Sequence, residues 1–385
     1  MTLAGKHLAI ATVACALIAS LAVPSRPAMA AATRGSTITL PNGSRFSLQT
    51  PSDLQVTVYA TGLNNPRLLA LGPKGDIFVG TRFAGTVSVL LNRKGGPHAT
   101  QVSTLLSGLT VPDSVAYRNG RLYVAEEGQV SEWSYNQSAV SVSGQRIVVS
   151  SLPTGGLHTT RTLAFGLNGS LYVSVGSSCN ECADYSGRGV IMRYKPDGSG
   201  GVVYASGLRN AVGIAIQPKT GNLWADDNGQ DLLGDNIPPD EIDLIKQGKN
   251  YGWPYCWGNQ QPDPTLGSAA GYCASTVSPV VSLQAHSAPI GVAFGTGTLL
   301  PARYRGGLFV AYHGSAYRSQ ATGYKVAYIP INGTHAGAPQ DVVTGWLSAS
   351  GVWGRPAGVV IAADGSLLIS DDQAGVIYRV APVGR

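Results

Sequence analysis

The chain has 385 residues, and Gly (50) and Pro (23) make up about a fifth of it, so turns are frequent. Hydrophobic residues at 44% and charged residues at 12% exclude charge-driven disorder and leave enough apolar side chains for a large core. The formal charge of +6 falls close to balance once the first thirty residues, with Lys6, Arg26 and no acid, are set aside; that is too even for a nucleic-acid-binding face.

Residues 1–30 begin with Lys6 and His7, continue in an apolar run from Leu8 to Val23 and reach Ala28-Met29-Ala30, the pattern of a secretory signal peptide. No later stretch approaches the roughly 18 apolar residues needed to span a bilayer. The sequence therefore predicts a secreted or periplasmic chain with no membrane span. Residues 31–53 read as a lead segment and residues 54–385 as one domain.

That domain opens with a strand at Leu54 to Tyr59. A Gly followed by a short β-prone run then recurs at Gly75, Gly120, Gly169, Gly221, Gly307 and Gly365, at spacings of 45, 49, 52, 86 and 58 residues. Before these runs lie A strands at Leu68 to Leu71, Val115 to Tyr117, Thr162 to Phe165, Val212 to Ile216, Gly291 to Phe294 and Val359 to Ala362. After them come C strands at Val87 to Leu91, Val130 to Tyr135, Val190 to Tyr194, Ile242 to Ile245, Lys325 to Ile329 and Val376 to Val380. D strands follow in five repeats, at about Gln101 to Leu106, Arg146 to Ser150, Val202 to Ala205, Val280 to Leu283 and Asp341 to Trp346. The sixth repeat lacks one, and the spare N-terminal strand fills its place. The expectation is an all-β fold, a six-bladed β-propeller of four-stranded blades closed by its own N-terminus.

In such a meander the B-to-C and D-to-A connections share one face. The D-to-A loops bring Arg67, His158, Arg161, Arg209, His286 and Arg355 to one channel mouth. The B-to-C loops add Glu126, Glu127, Asp184, the run Asp226-Asp227-Asn228-Gly229-Gln230-Asp231, His313 with Arg318, and Asp371-Asp372. A ring of cations beside a carboxylate-rich arc suits a polyanionic ligand and a hard cation such as calcium, with the metal placed in the acidic stretch Asp226 to Glu241. Trp253, Tyr251 and Trp257 are candidates either for stacking on a sugar or for capping a blade.

The mature chain holds four cysteines. In an exported protein they read as two disulfides, Cys179 with Cys182 and Cys256 with Cys273. The second pair is too widely spaced for a four-cysteine zinc site, and Ala183 stands where haem attachment needs His.

Gly207-Leu-Arg-Asn-Ala-Val-Gly213, Pro239-Asp-Glu-Ile-Asp-Leu-Ile245, Asn250-Tyr-Gly-Trp-Pro254, His286-Ser-Ala-Pro289 and Arg355-Pro-Ala-Gly358 resemble the glucose/sorbosone dehydrogenase family, six-bladed propellers that use pyrroloquinoline quinone. His158-Thr-Thr-Arg161 and the His313-Gly-Ser loop are similar to its sorbosone-type branch. The resemblance implies a general base at His158 and quinone-holding residues at Arg209 and Asn210, with Arg355 gripping a carboxylate. It implies calcium ligands at the backbone carbonyls of Gly229 and Gln230, in the loop that also carries Asp227 and Asn228. The glucose-oxidising members have a second Arg where this chain has Ala357, and a Lys near His313-Gly314, so His313 or Arg318 would take that place, with Arg161 nearby.

The implied reaction is oxidation of an aldose or aldehyde sugar at its anomeric or aldehyde carbon, with an external electron acceptor reoxidising the quinone. Two other readings of the same architecture are a calcium-dependent lactonase-type hydrolase and a non-catalytic propeller that binds carbohydrate or protein at its mouth.

Overall fold

The computed structural model describes residues 1–2, 32–185 and 187–385. The predicted signal segment falls almost wholly outside the described residues. Residues Ala32–Arg385 form one compact unit.

Six sheets, each a four-stranded antiparallel meander, follow one another along this unit, the third with a short extra strand at its edge. The first blade is built from Pro66–Leu71, Ile77–Thr81, Thr86–Leu91 and Gln101–Leu106. The second has Ser114–Arg118, Arg121–Ala125, Val130–Asn136 and Ser141–Val149, and the third Arg161–Phe165, Leu171–Val175, Val190–Tyr194 and Val202–Ser206. The fourth has Ile214–Ile216, Leu223–Asp227, Glu241–Ile245 and Val281–Ser282, and the fifth Pro289–Phe294, Leu308–Tyr312, Lys325–Ile329 and Gln340–Val343. In the sixth, Pro356–Ile361, Leu367–Asp371 and Val376–Pro382 are completed by Leu54–Ala60, which pairs with the last of them from Leu54↔Pro382 to Ala60↔Ile377. The first strand of each blade touches its counterparts in the two adjacent blades, so the ring is closed. The predicted six-bladed propeller is the fold observed.

Local chemistry explains the meander. Asn119 and Gly120 both have positive φ (49° and 79°), the two-residue turn whose twist matches that of the flanking strands Ser114–Arg118 and Arg121–Ala125. Large apolar side chains from facing sheets fill the wedges between blades, as with Phe78, Val89, Val115 and Val124 between the first and second. Tyr59, Ile77, Leu368 and Ile377 do the same between the sixth and first, at the seam where the chain ends meet.

The lead segment is a hairpin, Thr33–Thr39 with Arg45–Pro51. It is held by buried Ile38 and Leu48, by a bridge from Gln49 to Thr344, and by Phe46 stacked 4.4 Å from Trp353. Both predicted disulfides form, Cys179–Cys182 and Cys256–Cys273. No described helix is long and apolar enough to cross a membrane.

The Asn250-Tyr-Gly-Trp-Pro254 segment works as a blade cap. Lys249–Asn250 add to the third blade in parallel with Val202–Ser206, and the Tyr251 hydroxyl donates to the Leu244 carbonyl at 2.7 Å. Trp253 and Trp257 line a small recess with Arg209, Asp227, Gly229 and Glu241.

Candidate active site

A cavity of about 210 Å³ opens at the face where the topology places the D-to-A and B-to-C connections, and His158, Arg209, Asn210, Asn228, Gly229, His313 and Arg355 all line it. Asp231, Asp240, His286 and Tyr317 complete the wall.

His158 stands on the loop entering the third blade. Its Nδ1 lies 2.9 Å from the Ser177 carbonyl oxygen and 2.8 Å from Ser177 Oγ. A carbonyl only accepts, so Nδ1 carries the proton and Nε2 keeps its lone pair. Burial, reinforced by the charge of Arg209, pushes this imidazole down to about 3, so the ring is neutral throughout the physiological range. Between His158 and Asn210 runs Gly176, where a Cβ would sit 2.7 Å from both side chains. Only glycine permits that approach.

Arg209 and Asn210 are held by Asp227, whose buried carboxylate accepts both of their backbone amides, at 2.9 and 2.6 Å. Burial, only partly offset by those amides, raises Asp227 to about 7. The Arg209 guanidinium donates to the carbonyls of Asn180 (2.9 Å) and Asn228 (3.2 Å) and approaches Asp231 at 3.4 Å. Across the cavity, the Arg355 amide donates to Asp371 at 2.8 Å. Its guanidinium touches the Gly314 and Ser315 carbonyls and lies over the Tyr324 ring, with no carboxylate partner among the described residues. His313 Nε2 meets Asp372 at 2.9 Å, and Arg67 binds the same carboxylate at 2.8 Å. Against the opposing effect of burial, the contacts with His313 and Arg67 hold Asp372 well below the usual carboxylate range.

The carboxylate-rich arc is present but mostly turned to backbone amides. Glu126 receives the Thr110 amide, Glu127 that of Gly155, Asp184 that of Ser178, and Asp240 those of Gly229 and Ala288. Asp226 takes the Gly213 amide. These acids shape the loops. By contrast, the carbonyl oxygens of Gly229 and Gln230 accept no hydrogen bond from any described residue. Two free carbonyls in an acidic surrounding are ligands that suit calcium, and the Arg209 and Arg355 guanidiniums at the same cavity suit a polycarboxylate. The donor set therefore fits both groups.

Four predicted site residues lie off the cavity wall, among them Asp227, buried beneath the Arg209 and Asn210 amides that it accepts. Arg161 is fully buried and clamps the His158 loop through the carbonyls of Pro153, His158 and Thr160. Arg318 binds the carbonyls of Asp235 and Ala285. Gln230 points its side chain away, to Asp263 at 2.6 Å. Among the described residues the one close group of metal-ligating types is Cys179, Cys182 and Asp184, and its sulfurs form a disulfide.

Three neighbours of the base carry no sequence motif. Ser177 fixes its tautomer. Arg188 donates to the His158 carbonyl at 3.3 Å. Arg82, on the B-to-C loop of the first blade, reaches Thr159 Oγ1 at 3.3 Å. A basic residue in a B-to-C loop was the available signal for both arginines.

The TrAA12-like family profile matches residues 48–382, nearly the whole compact unit. The chain belongs to this family. It is the grouping of pyrroloquinoline quinone-dependent soluble sugar dehydrogenases to which the motifs point. Among curated relatives, an uncharacterised protein of Borreliella burgdorferi is 29% identical over 350 residues, covering 87% of this chain and 90% of that one. A pyrroloquinoline quinone-dependent sugar dehydrogenase of Hypocrea jecorina is 27% identical, covering 67% of this chain and 71% of that one. A pyrroloquinoline quinone-dependent pyranose dehydrogenase of Coprinopsis cinerea is 25% identical over 87% of this chain, which spans 55% of that longer protein. The TrAA12-like fold is also seen directly. A calcium structure of the Trichoderma reesei carbohydrate-active enzyme of family AA12 superposes with a TM-score of 0.77 at 23% identity, covering 86% of this chain and 96% of that one. The holo pyranose dehydrogenase quinone domain of Coprinopsis cinerea gives 0.75 at 23% identity, covering 88% and 98%.

Proposed function

We propose that the protein is an exported dehydrogenase that oxidises an aldose or aldehyde sugar, glucose- or sorbosone-like, at its anomeric or aldehyde carbon, using pyrroloquinoline quinone and calcium. The observation that carries this reading is a neutral His158 with its Nε2 lone pair free, set in one cavity with Arg209, Arg355 and the loop of Asn228 and Gly229. The family's sugar dehydrogenases and the two disulfides support the chemistry and the oxidising compartment respectively.

When bound, the quinone supplies a two-electron hydride acceptor, polarised by calcium. The chain's own residues do the rest. His158 Nε2 takes the proton of the sugar hydroxyl, and Nδ1 stays bonded to Ser177, so the ring keeps its orientation as it charges. Arg209 and Arg355 bind carboxylates and Asn210 orients beside them, while the Gly229 and Gln230 carbonyls hold the cation. His313, tied to Asp372, adds a polar wall. An external acceptor removes the electrons. Most of the acidic arc is engaged with backbone amides, which leaves a lactonase few carboxylates to activate water.

Arg209→Ala should weaken quinone binding by about 10- to 100-fold, the scale of losing a charge-assisted hydrogen bond. Fluorescence titration of the apo protein measures this, and an unchanged Kd would remove Arg209 from the cofactor site. Treating the quinone-loaded protein with EDTA should release quinone and lower the melting temperature by several degrees, because calcium at about 100 times its Kd contributes about 2.7 kcal/mol. A melting curve indifferent to EDTA and to added calcium would remove the metal from this account.

A further inference from the structure

We propose that the short loop closed by Cys179–Cys182 is the positioning element of the active site, with Asn180 holding Arg209 on one side and the Cys179 carbonyl setting His158, through Ser177, on the other. This rests on the quinone reading above.

Asn180 uses every polar atom of its side chain on the cofactor wall. Its Oδ1 accepts from Arg209 Nη2 and from the Asp231 amide, both at 2.8 Å, and its Nδ2 donates to the Asp231 carbonyl at 3.0 Å. Its backbone carbonyl takes Arg209 Nε at 2.9 Å. The guanidinium is thus gripped along its Nε/Nη2 edge by one residue, and the same residue ties it to the end of the Asn228 to Asp231 loop.

One residue earlier, the Cys179 carbonyl accepts the Ser177 hydroxyl at 2.8 Å. That commits the only hydroxyl hydrogen, so Ser177 Oγ can serve His158 only as an acceptor. The Ser177 carbonyl is an acceptor as well, and both face Nδ1. The Cys179 carbonyl therefore removes the one arrangement in which Nδ1 would accept and Nε2 would carry the proton, which is the useless tautomer for a base. The Ser177 amide also donates to the Arg209 carbonyl at 2.8 Å, so the two halves of the site share one strap of four consecutive residues.

The disulfide fixes the turn of that strap. Its sequence separation is only 3, so in the chain-entropy view it adds little to global stability. The Cys256–Cys273 bridge, with separation 17 and both cysteines buried, is the one placed to staple the fold. Positioning and stapling thus predict opposite patterns.

Three full-length proteins decide between them: wild type, Asn180→Ala, which keeps the disulfide, and Cys179→Ser with Cys182→Ser. The readouts are the apo melting temperature, the quinone Kd in calcium by fluorescence titration, and kcat by dye reduction at saturating quinone. Positioning predicts apo melting temperatures within about 3 °C of wild type. It predicts a quinone Kd raised about tenfold or more in both variants, the scale of removing a hydrogen bond to a charged group. The double variant should in addition lose kcat about tenfold or more as the strap on His158 slackens. Quinone affinities within twofold of wild type, with or without a lower melting temperature, would overturn the proposal and leave the loop a staple. A wild type that binds no quinone would overturn the cofactor reading and this inference with it, whereas wild-type binding shared equally by both variants overturns this inference alone.

Discussion

His158→Ala should reduce dye reduction by about 10²-fold or more while leaving quinone and calcium binding near wild type. The loss is the usual scale for removing a general base. Binding survives because His158 makes no hydrogen bond to Arg355 or to the Gly229 and Gln230 carbonyls; its ring Nδ1 is spent on Ser177. The pH profile carries the same signature. A base is lost when it is protonated, so activity falls as pH drops through its pKa. Burial and Arg209 push that pKa below the ordinary 6.5, so the acid limb of kcat/KM should lie below that of an exposed imidazole. An acid limb that persists unchanged in His158→Ala would assign it to another group, and equal dye reduction by the two proteins would remove His158 as the base.

The second large effect is on stability. A protein beginning at Gly62 lacks Leu54–Ala60, which supplies the fourth strand of the sixth blade and buries Leu54, Val56, Tyr59 and Ala60. Each large apolar side chain contributes about 1.5–3 kcal/mol on burial, and whole domains are stable by only about 5–15 kcal/mol. The truncation also bares the edge of Val376–Pro382, a template for aggregation. Insoluble protein, or a melting temperature lower by about 10 °C or more, is expected. A second protein beginning at Leu54 separates this from loss of the lead hairpin, and should retain more stability than the shorter one. Equal melting of the Gly62 protein and the mature chain would contradict the closure.

The blades were legible because a propeller repeats its chemistry: a turn glycine, then a β-prone run, six times over. Closure followed from a count, since one strand was spare at the start and one missing at the end. Meander topology then placed His158, Arg209 and Arg355 on one face, and all three line the cavity. The lead hairpin left little trace, because Thr33–Thr39 and Arg45–Pro51 are largely polar and exposed and only Ile38, Leu48 and Thr50 sink deeply.

The carboxylates were harder to read. Asp227 and Asp240 stand in the acidic loop as a metal site would have them, yet Asp227 spends its oxygens on the amides of Arg209 and Asn210, and Asp240 on those of Gly229 in its own loop and of Ala288 in the next blade. A backbone amide has no residue type, so no sequence pattern marks it as the partner. Arg161 and Arg318 were placed on the mouth face by topology, but long flexible side chains turned them to buried carbonyls. The same limit hid Ser177 and Asn180, whose importance lies in which atoms they meet.

The most direct test of the quinone-dependent sugar oxidation proposed here is spectroscopic. Apo protein is loaded with calcium and pyrroloquinoline quinone, freed of excess cofactor, and mixed anaerobically with a panel of aldoses. The expected result is a protein-bound quinone absorbance that converts to the reduced form on adding at least one sugar, and that is restored by an electron-accepting dye. A protein that retains no quinone, or retains it with a spectrum no sugar changes, while hydrolysing lactones in calcium, would contradict it.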